Sequence, residues 1–248
     1  MPIRRVQGKM RKTKAIQTHP LLRKHIPASQ WLNAKSLREM LQQHPVVFVK
    51  PDTGSGGKGI IRIRRLPDQR FQICTSRNCK NVKFHELLPA IRKQMRSSPY
   101  MIQQGVHLAR YNGQAIDFRI IMQKPRNRWQ ISGKVVRVAA PGRFLTNYHQ
   151  GGRAAPVERV LQRVLTRKSE ASRIDQQLNI LSHTTAEVLD RHFPGIRVLG
   201  LDIALDRSKR LWILEANTNP GTMLFKQLPD KSMLRRIQRN RQYMYRVY

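Results

Sequence analysis

VLGLDIALDRSKRLWILEANTNPG, residues 198–221, reads as two runs of alternating apolar residues around a polar turn, Asp206 to Arg210. Such a pattern predicts a β-hairpin. Residues two apart share a face of a strand, so Leu199, Leu201, Ile203 and Leu205 are expected to form a core face with Trp212, Leu214 and Ala216. Gly200, Asp202 and Ala204 fall on the other face with Ile213, Glu215 and Asn217. A turn centred between Ser208 and Lys209 would set Asp202 opposite Glu215. Like charges directly opposite one another destabilise a sheet, so the arrangement makes sense mainly with a cation between them. Oxygen-only ligands suit Mg²⁺ or Mn²⁺, which usually share their coordination with substrate phosphates. The plain alternative is a solvated hairpin carrying two surface acids.

Acids are scarce in this chain of 248 residues: 48 Lys and Arg face 14 Asp and Glu, a formal charge of +34. That surplus attracts polyanions, whether nucleic acid, anionic membrane, phosphates or acidic peptides, and does not choose among them. Basic residues crowd the N-terminus (Arg4, Arg5, Lys9, Arg11, Lys12, Lys14) and the C-terminal segment (Arg235, Arg236, Arg239, Arg241, Arg246), where solvated faces are the ordinary explanation. Aromatic residues make up only 6% of the chain, which argues against a single-stranded nucleic-acid platform. No apolar run reaches the roughly 18 residues of a membrane span, and no apolar stretch near the start resembles a signal peptide, so a cytoplasmic protein is expected. Cys74 and Cys79 have no companion pair; neither a disulfide framework nor a four-ligand zinc site is indicated, and they read as ordinary residues. The histidines fall at no metal-ligand spacing, and no Ser-His-Asp or Cys-His arrangement is evident.

Periodicity predicts helices over 34–43, 84–96 and 173–192 and a basic helix from about Lys231. Strands are predicted over 46–50, 60–64, 71–74, 100–104, 117–123 and 129–138, besides the hairpin. Helices mixed with antiparallel strands argue an α+β fold. The length allows one large domain or two intimate subdomains.

A second segment, VVFVKPDTGSGGKGIIRIRR (residues 46–65), carries Gly54, Gly56, Gly57 and Gly59. Glycines let a backbone approach a ligand closely and turn its N–H groups toward an anion. Lys50 and Lys58 add charge, and Ser55 lies among the glycines. A Walker loop would need Gly-Lys followed by Ser or Thr and a helix. Here Lys58 precedes Gly59, and Ile60 to Ile63 is strand-like. The segment therefore reads as a glycine-rich flap between strands, of the kind that covers nucleotide phosphates, or as an ordinary flexible hairpin.

The order of motifs carries a resemblance. Lys50 precedes the flap; then come Gln103-Gln104-Gly105-Val106, Asp117-Phe118-Arg119, Asn147 with Gly151-Gly152, and Asp202, Glu215 and Asn217. This order resembles the ATP-grasp superfamily. RFLTNYHQGGRAAPV with EANTNPG is similar to ribosomal-protein glutamate ligases, and the whole pattern, from about Lys9 to Met223, most resembles the endospore coat-associated ATP-grasp proteins. The resemblance implies an ATP-grasp fold in which two α+β subdomains grip a nucleotide between them: a basic segment 1–24, an N-terminal subdomain 25–104 with the flap, and a C-terminal subdomain 105–248 with the metal hairpin and basic helix. It implies that Lys50 and Lys9 contact the α and β phosphates of ATP. Gly54, Ser55, Gly56, Gly57, Lys58 and Gly59 would cover the β and γ phosphates, and the backbone of Gln104 and Val106 would meet the adenine. Asp202, Glu215 and Asn217 would hold Mg²⁺. Arg119 and Arg137, with Asn147 close by, would serve the γ-phosphate or the carboxylate it activates; otherwise Arg119 and Arg137 are strand arginines reaching into solvent, and Asn147 serves a turn.

Leu145 and Gln150 stand where the glutamate-ligase pattern usually has arginine, and Gln104 where it commonly has glutamate, which sets the carboxylate substrate apart. Superfamily members usually carry a further N-terminal domain, so substrate contacts are expected from a partner protein or a second copy of this chain. The implied activity is an ATP- and Mg²⁺-dependent carboxylate–amine ligase. ATP would phosphorylate a carboxylate, and an amine would displace phosphate from the acylphosphate. The positive charge points to an acidic peptide or protein acceptor. The alternative is a polyanion-binding or spore-coat structural protein that keeps the fold without catalysis.

Overall fold

The computed structural model of the protein describes residues 3–95 and 97–247. In chain order the elements are α1 (Lys9–Gln17), α2 (Pro20–Arg23), β1 (Ser29–Trp31), α3 (Ala34–Gln43), β2 (Val46–Pro51), β3 (Ile61–Arg65), β4 (Phe71–Cys74), β5 (Cys79–Val82), α4 (Phe84–Arg92) and β6 (Tyr100–Gln104). They continue with β7 (Arg110–Tyr111), β8 (Gln114–Gln123), β9 (Gln130–Val138), β10 (Arg153–Ala155), α5 (Val157–Val164), α6 (Lys168–His192), β11 (Val198–Leu205), β12 (Leu211–Asn217) and α7 (Ser232–Val247). Short 3-10 turns lie at Tyr148–Gln150 and Met223–Gln227. The helix expected over 84–96 ends at Arg92, and Arg96 lies outside the described residues. The helix expected from Arg173 starts earlier, at Lys168. Sequence periodicity passed over α1, where five residues of KMRKTKAIQ are polar or charged in its first six, and over β5, whose Cys79, Lys80 and Asn81 are exposed. No helix among the described residues is long and apolar enough to cross a membrane.

The chain divides into two compact units. The smaller comprises Gly8–Met10 and Pro27–Val106. Its antiparallel sheet has the order β1-β6-β2-β3-β4-β5. Strand β2 alternates half-exposed and buried residues, so Val47 and Val49 face the core while Phe48 and Lys50 face away. Leu37, Met40 and Leu41 of α3, and Leu87 and Ile91 of α4, pack on Val47, Val49, Ile61, Ile63 and Ile102. Helix α3 starts cleanly because Asn33 and Ser36 form a capping box, each side chain meeting the other's backbone N–H.

One expectation is corrected here: Cys74 and Cys79 are joined by a disulfide, Sγ–Sγ 2.08 Å. The reason is register. Antiparallel pairing of β4 with β5 sets Cys74 directly opposite Cys79, with Cα atoms 4.1 Å apart. A two-cysteine count carries no such information.

The larger unit holds the remaining described residues. Its sheet runs β10-β9-β8-β11-β12, all antiparallel, with β7 on the end of β8. One face, with Ile116, Phe118, Ile120, Leu199, Leu201 and Ile203, is covered by α6 through Ile174, Leu178 and Leu181. Each such side chain contributes about 1.5–3 kcal/mol by leaving water. On the opposite face Ile121 and Val135 pack under Phe225, Leu224 and Ile237, the last from α7.

The hairpin of β11 and β12 forms as expected, with Asp202 opposite Glu215 and Gly200 opposite Asn217. Its core face is corrected. A β-bulge follows the Asp202–Glu215 pair, so that Ile203 pairs with Ile213 and Leu205 with Leu211. Leu214 is the extra residue, and a bulge of this kind inverts the alternation beyond it. Leu211, Ile213 and Ala216 are therefore the buried residues, and Trp212 and Leu214 are only half-buried. Trp212 instead gives its Nε1–H to Asp206 at 2.8 Å and lies under the Arg210 guanidinium. Asp206 also accepts the Ser208 and Arg210 N–H groups, closing the turn.

Candidate functional site

In the larger unit, cross-strand pairing aligns Val135, Arg119, Asp202 and Glu215 on one face of the sheet, with Asn217 two residues beyond Glu215. The sequence expectation that Asp202, Glu215 and Asn217 share a face is met. Asp202 is buried, while Glu215 and Asn217 are half-buried. Next to this row lies the pair Asp117 and Arg137.

Arg119 and Arg137 do not reach into solvent; their side chains are 11% and 3% exposed. Arg119 donates from Nε to Asp202 Oδ1 at 2.6 Å and from Nη2 to Oδ2 at 3.1 Å. Arg137 Nη2 lies 2.9 Å from Asp202 Oδ2, and its Nε donates to Asp117 Oδ1 at 2.7 Å. Asp117 accepts a further bond from the Thr146 hydroxyl at 2.9 Å. Burial alone would raise the Asp202 carboxyl, but Arg119 and Arg137 outweigh it and hold it below the usual carboxylate range. Burial likewise opposes the Arg137 charge, and Asp117 and Asp202 more than restore it. Two acids and two guanidinium groups thus form a buried network of ion pairs, which is costly to disrupt one partner at a time.

Thr146 opens the loop that carries Asn147. The Asn147 carbonyl accepts from the N–H of Gln150 and Gly152, at 2.9 and 3.1 Å. The loop closes only because position 152 is glycine: a Cβ there would lie 2.1 Å from the Thr146 carbonyl oxygen. Asn147 is therefore a turn residue by its backbone, and Thr146 ties that turn to Asp117 and the arginines.

In the smaller unit, the Lys50 ammonium donates to Gln103 Oε1 at 2.6 Å, on the face of the sheet away from the helices. Lys9 begins α1, and its Nζ donates to the Gly54 carbonyl at 3.1 Å. Asp52, two residues before Gly54, accepts the Met10 N–H at 2.8 Å and fixes the start of α1 beside the flap. The structure thus brings Lys9 and the flap together. Gly54, Gly56, Gly57 and Gly59 all have φ between 70° and 112°, a region L side chains avoid and glycine adopts freely. Ser55 and Lys58 at the flap are exposed. Gln104 is tied to residue 28: its N–H donates to the Ala28 carbonyl, and its side-chain oxygen accepts the Ala28 N–H. Val106 ends the unit.

The hairpin donors, a carboxylate each from Asp202 and Glu215 and the Asn217 amide oxygen, are all hard oxygen ligands of the type Mg²⁺ takes. Asp202 already accepts bonds from both arginines, so Glu215 and Asn217 would carry more of a cation's coordination. The set fits Mg²⁺ with Glu215 and Asn217 as the principal donors. Sequence reasoning quoted Asp117 only as part of a motif and missed Thr146 and Asp52. Alternation in Asp117-Phe118-Arg119 already puts both charged residues on one face, which was the available signal.

Comparison with known proteins identifies the family and the fold. A model of the YheC/D-like ATP-grasp family matches residues 4–246. The chain is 25% identical over 218 residues to the endospore coat-associated protein YheD of Bacillus subtilis (strain 168), covering 85% of this chain and 47% of YheD. Among solved structures it is similar to N5-carboxyaminoimidazole synthase from Aspergillus clavatus in complex with ADP and its ribonucleotide, at TM-score 0.55 and 11% identity, over 89% of this chain and 46% of that one. It is also similar to D-alanyl-alanine synthetase A from Vibrio cholerae, at TM-score 0.53 and 17% identity, over 94% of this chain and 65% of that one. The chain thus spans about half the length of YheD. Its α+β fold is the ATP-grasp fold, and the chain belongs to the YheC/D-like ATP-grasp family.

Proposed function

We propose that the protein is an ATP- and Mg²⁺-dependent carboxylate–amine ligase. The observation that carries this reading is the register of the hairpin, which sets Glu215 against Asp202 with Asn217 on the same face. A module that only bound polyanions would gain nothing from two carboxylates set opposite one another in a strongly basic chain. In this reading Lys50, Lys9 and the flap Gly54–Gly59 bind the phosphates of ATP, and Val106 meets the adenine with Gln104. Glu215 and Asn217, with Asp202, hold Mg²⁺. When bound, the cation neutralises the phosphate charge that develops during transfer.

The γ-phosphoryl group passes to a substrate carboxylate, giving an acylphosphate and ADP. An amine then attacks the acyl carbon, and phosphate leaves as the amide forms. Phosphoryl transfer asks the protein chiefly for positioning and charge neutralisation, so the absence of a nucleophilic triad in the sequence is consistent with this chemistry. Arg119 and Arg137, paired with Asp202 and Asp117, position the Asp202 carboxylate. Asn147 is presented by the loop that Thr146 anchors. The net charge of +34 favours an acidic peptide or protein as acceptor, and the coat association of YheD favours one of the spore.

The test is ADP release with Mg²⁺, screened over pairs of candidate carboxylates and amines. Release that depends on both members of a pair supports the ligase. Mg²⁺–ATP binding without release from any pair favours a coat protein that keeps the fold without catalysis.

A further inference from the structure

Helix α7 is amphipathic in an uncommon way. Ile237, Asn240 and Met244 are buried, and Met233 and Leu234 pack with Phe225 and Leu228, so this stripe is committed to the sheet. Asn240 bonds the Ser132 hydroxyl and Arg236 the Ser132 carbonyl, which fixes the rotation of the helix. The outward face carries Arg235, Gln238, Arg239, Arg241, Gln242, Tyr245 and Arg246, all exposed. The helix has five arginines, no lysine and no acid. Along its C-terminal half the side chains of Gln238, Arg241, Gln242, Tyr245 and Arg246 line an open surface pocket of about 610 Å³. The Tyr245 hydroxyl, hydrogen-bonded by Arg241 and Arg5, is held below the usual phenol range, and its ring, in a residue 55% exposed, also carries the Arg241 guanidinium at 5.7 Å. Tyr243 is exposed as well and holds Arg126 in the same manner.

We propose that this outward face of α7, centred on Arg241, Tyr245 and Arg246, is a binding surface for single-stranded nucleic acid. Arginine forks suit phosphate oxygens, and an acidic peptide would be served by the arginines alone. The Tyr245 ring and the Gln238 and Gln242 amides standing among them match what bases offer, a π-face for stacking and edges for hydrogen bonds. The low aromatic content that argued against such a platform is an average over the chain; here the exposed Tyr245 ring stands among arginines of one helix face. None of these residues belongs to the proposed phosphate or metal machinery, so the surface is independent of the ligase reading.

The experiment is fluorescence anisotropy with a fluorescein-labelled oligothymidylate of about 20 nucleotides, long enough to run along the helix face, titrated at several salt concentrations. Arg241→Gln with Arg246→Gln should lower the slope of log affinity against log salt by about 1.4, the value for two lost single-strand phosphate contacts. The same charge loss at Arg65→Gln with Lys80→Gln, exposed positions in the smaller unit, should leave the slope unchanged. Tyr245→Ala should weaken binding about fivefold or more, and Tyr245→Phe should retain it, as stacking requires. Thermal melts equal to wild type establish that the variants fold, and photocrosslinking of a 4-thiothymidine oligonucleotide to the wild-type protein should label the peptide containing Tyr245. Equal slopes in the two charge-loss pairs, crosslinks confined to other segments, or displacement by poly-glutamate as effective as by unlabelled oligonucleotide would each overturn the proposal, the last assigning the surface to acidic peptides.

Discussion

Asp202 shows how far one residue's role depends on its neighbours. Alternation along LGLDIAL placed it on the same face as Glu215, but its two arginine partners come from β8 and β9 and follow only from the pairing of those strands, which itself shifts register between Ile121 and Met122. Residue-level chemistry local to one hairpin was legible; chemistry assembled from three strands was not. Two outcomes follow at this scale. Arg137→Met leaves Asp117 and Asp202 buried without their shared partner, and urea unfolding should show a loss of about 3–5 kcal/mol. Because folding holds the Asp202 carboxyl below its ordinary value of 3.8, folding favours its ionised form. That contribution is full above pH 4 or so and is lost as pH falls through the lower folded-state value, so Asp202→Asn protein should show a flatter acid limb in a stability–pH curve. Glu215 makes a separate test of the proposed cation site: Mg²⁺–ADP should raise the melting temperature of the wild type by binding only the folded state, and Glu215→Gln should lose most of that shift while melting near the wild-type temperature without ligand. Equal shifts in the two proteins would remove Glu215 from the cation site.

Among the elements, the flap was the most readable, since four glycines between two β-branched runs leave few other structures open. Its positive φ angles make a specific demand: Gly57→Val should weaken ATP binding with little effect on the fold of an exposed turn, whereas Lys50→Ala should weaken ATP more than adenosine, as isothermal titration can resolve. Loss of equal size for adenosine and ATP would mean that Lys50 does not meet phosphate. The β4–β5 hairpin was the least readable. Its outer strand is polar and exposed, so nothing in the alternation of CKNV marks a strand, and the pairing of Cys74 with Cys79 depends on that unmarked register. Closing so short a loop stabilises the fold by about 2 kcal/mol on the chain-entropy estimate. Non-reducing intact mass should be two hydrogens below the thiol form, and reduction should lower stability by about that amount. Disulfides persist in oxidising surroundings, so the redox state of the natural protein would report where it resides.

Over the whole molecule, the order of loose motifs carried more information than any one of them, because a fold constrains the sequence of its parts while each part alone has common alternatives. The α+β class and family were therefore readable, and the acceptor was not, since +34 is a sum that names no partner. Long-range attraction weakens as the Debye length falls from about 10 Å at 0.1 M salt to about 3 Å at 1 M. For the proposed ligase, the Michaelis constant for an acidic acceptor should rise steeply over that range, and the constant for ATP, held by close contacts, should rise less. An acceptor constant indifferent to salt would assign the charge to anchoring rather than to capture.

The bulge at Leu214 works as a phase shifter. One strand must show greasy residues to the core near the turn and oxygen donors to the opposite side at its far end, and a strict two-residue rhythm cannot place both Leu211 and Ile213 inward while keeping Glu215 and Asn217 outward. Deleting Leu214 would bring back the simple rhythm and force a choice: keep the donors in place and turn Leu211 and Ile213 toward water, or keep the core and carry the donors to the wrong side. The same reasoning explains why a relative with one residue more or fewer in this strand cannot be equated with it position by position through the turn.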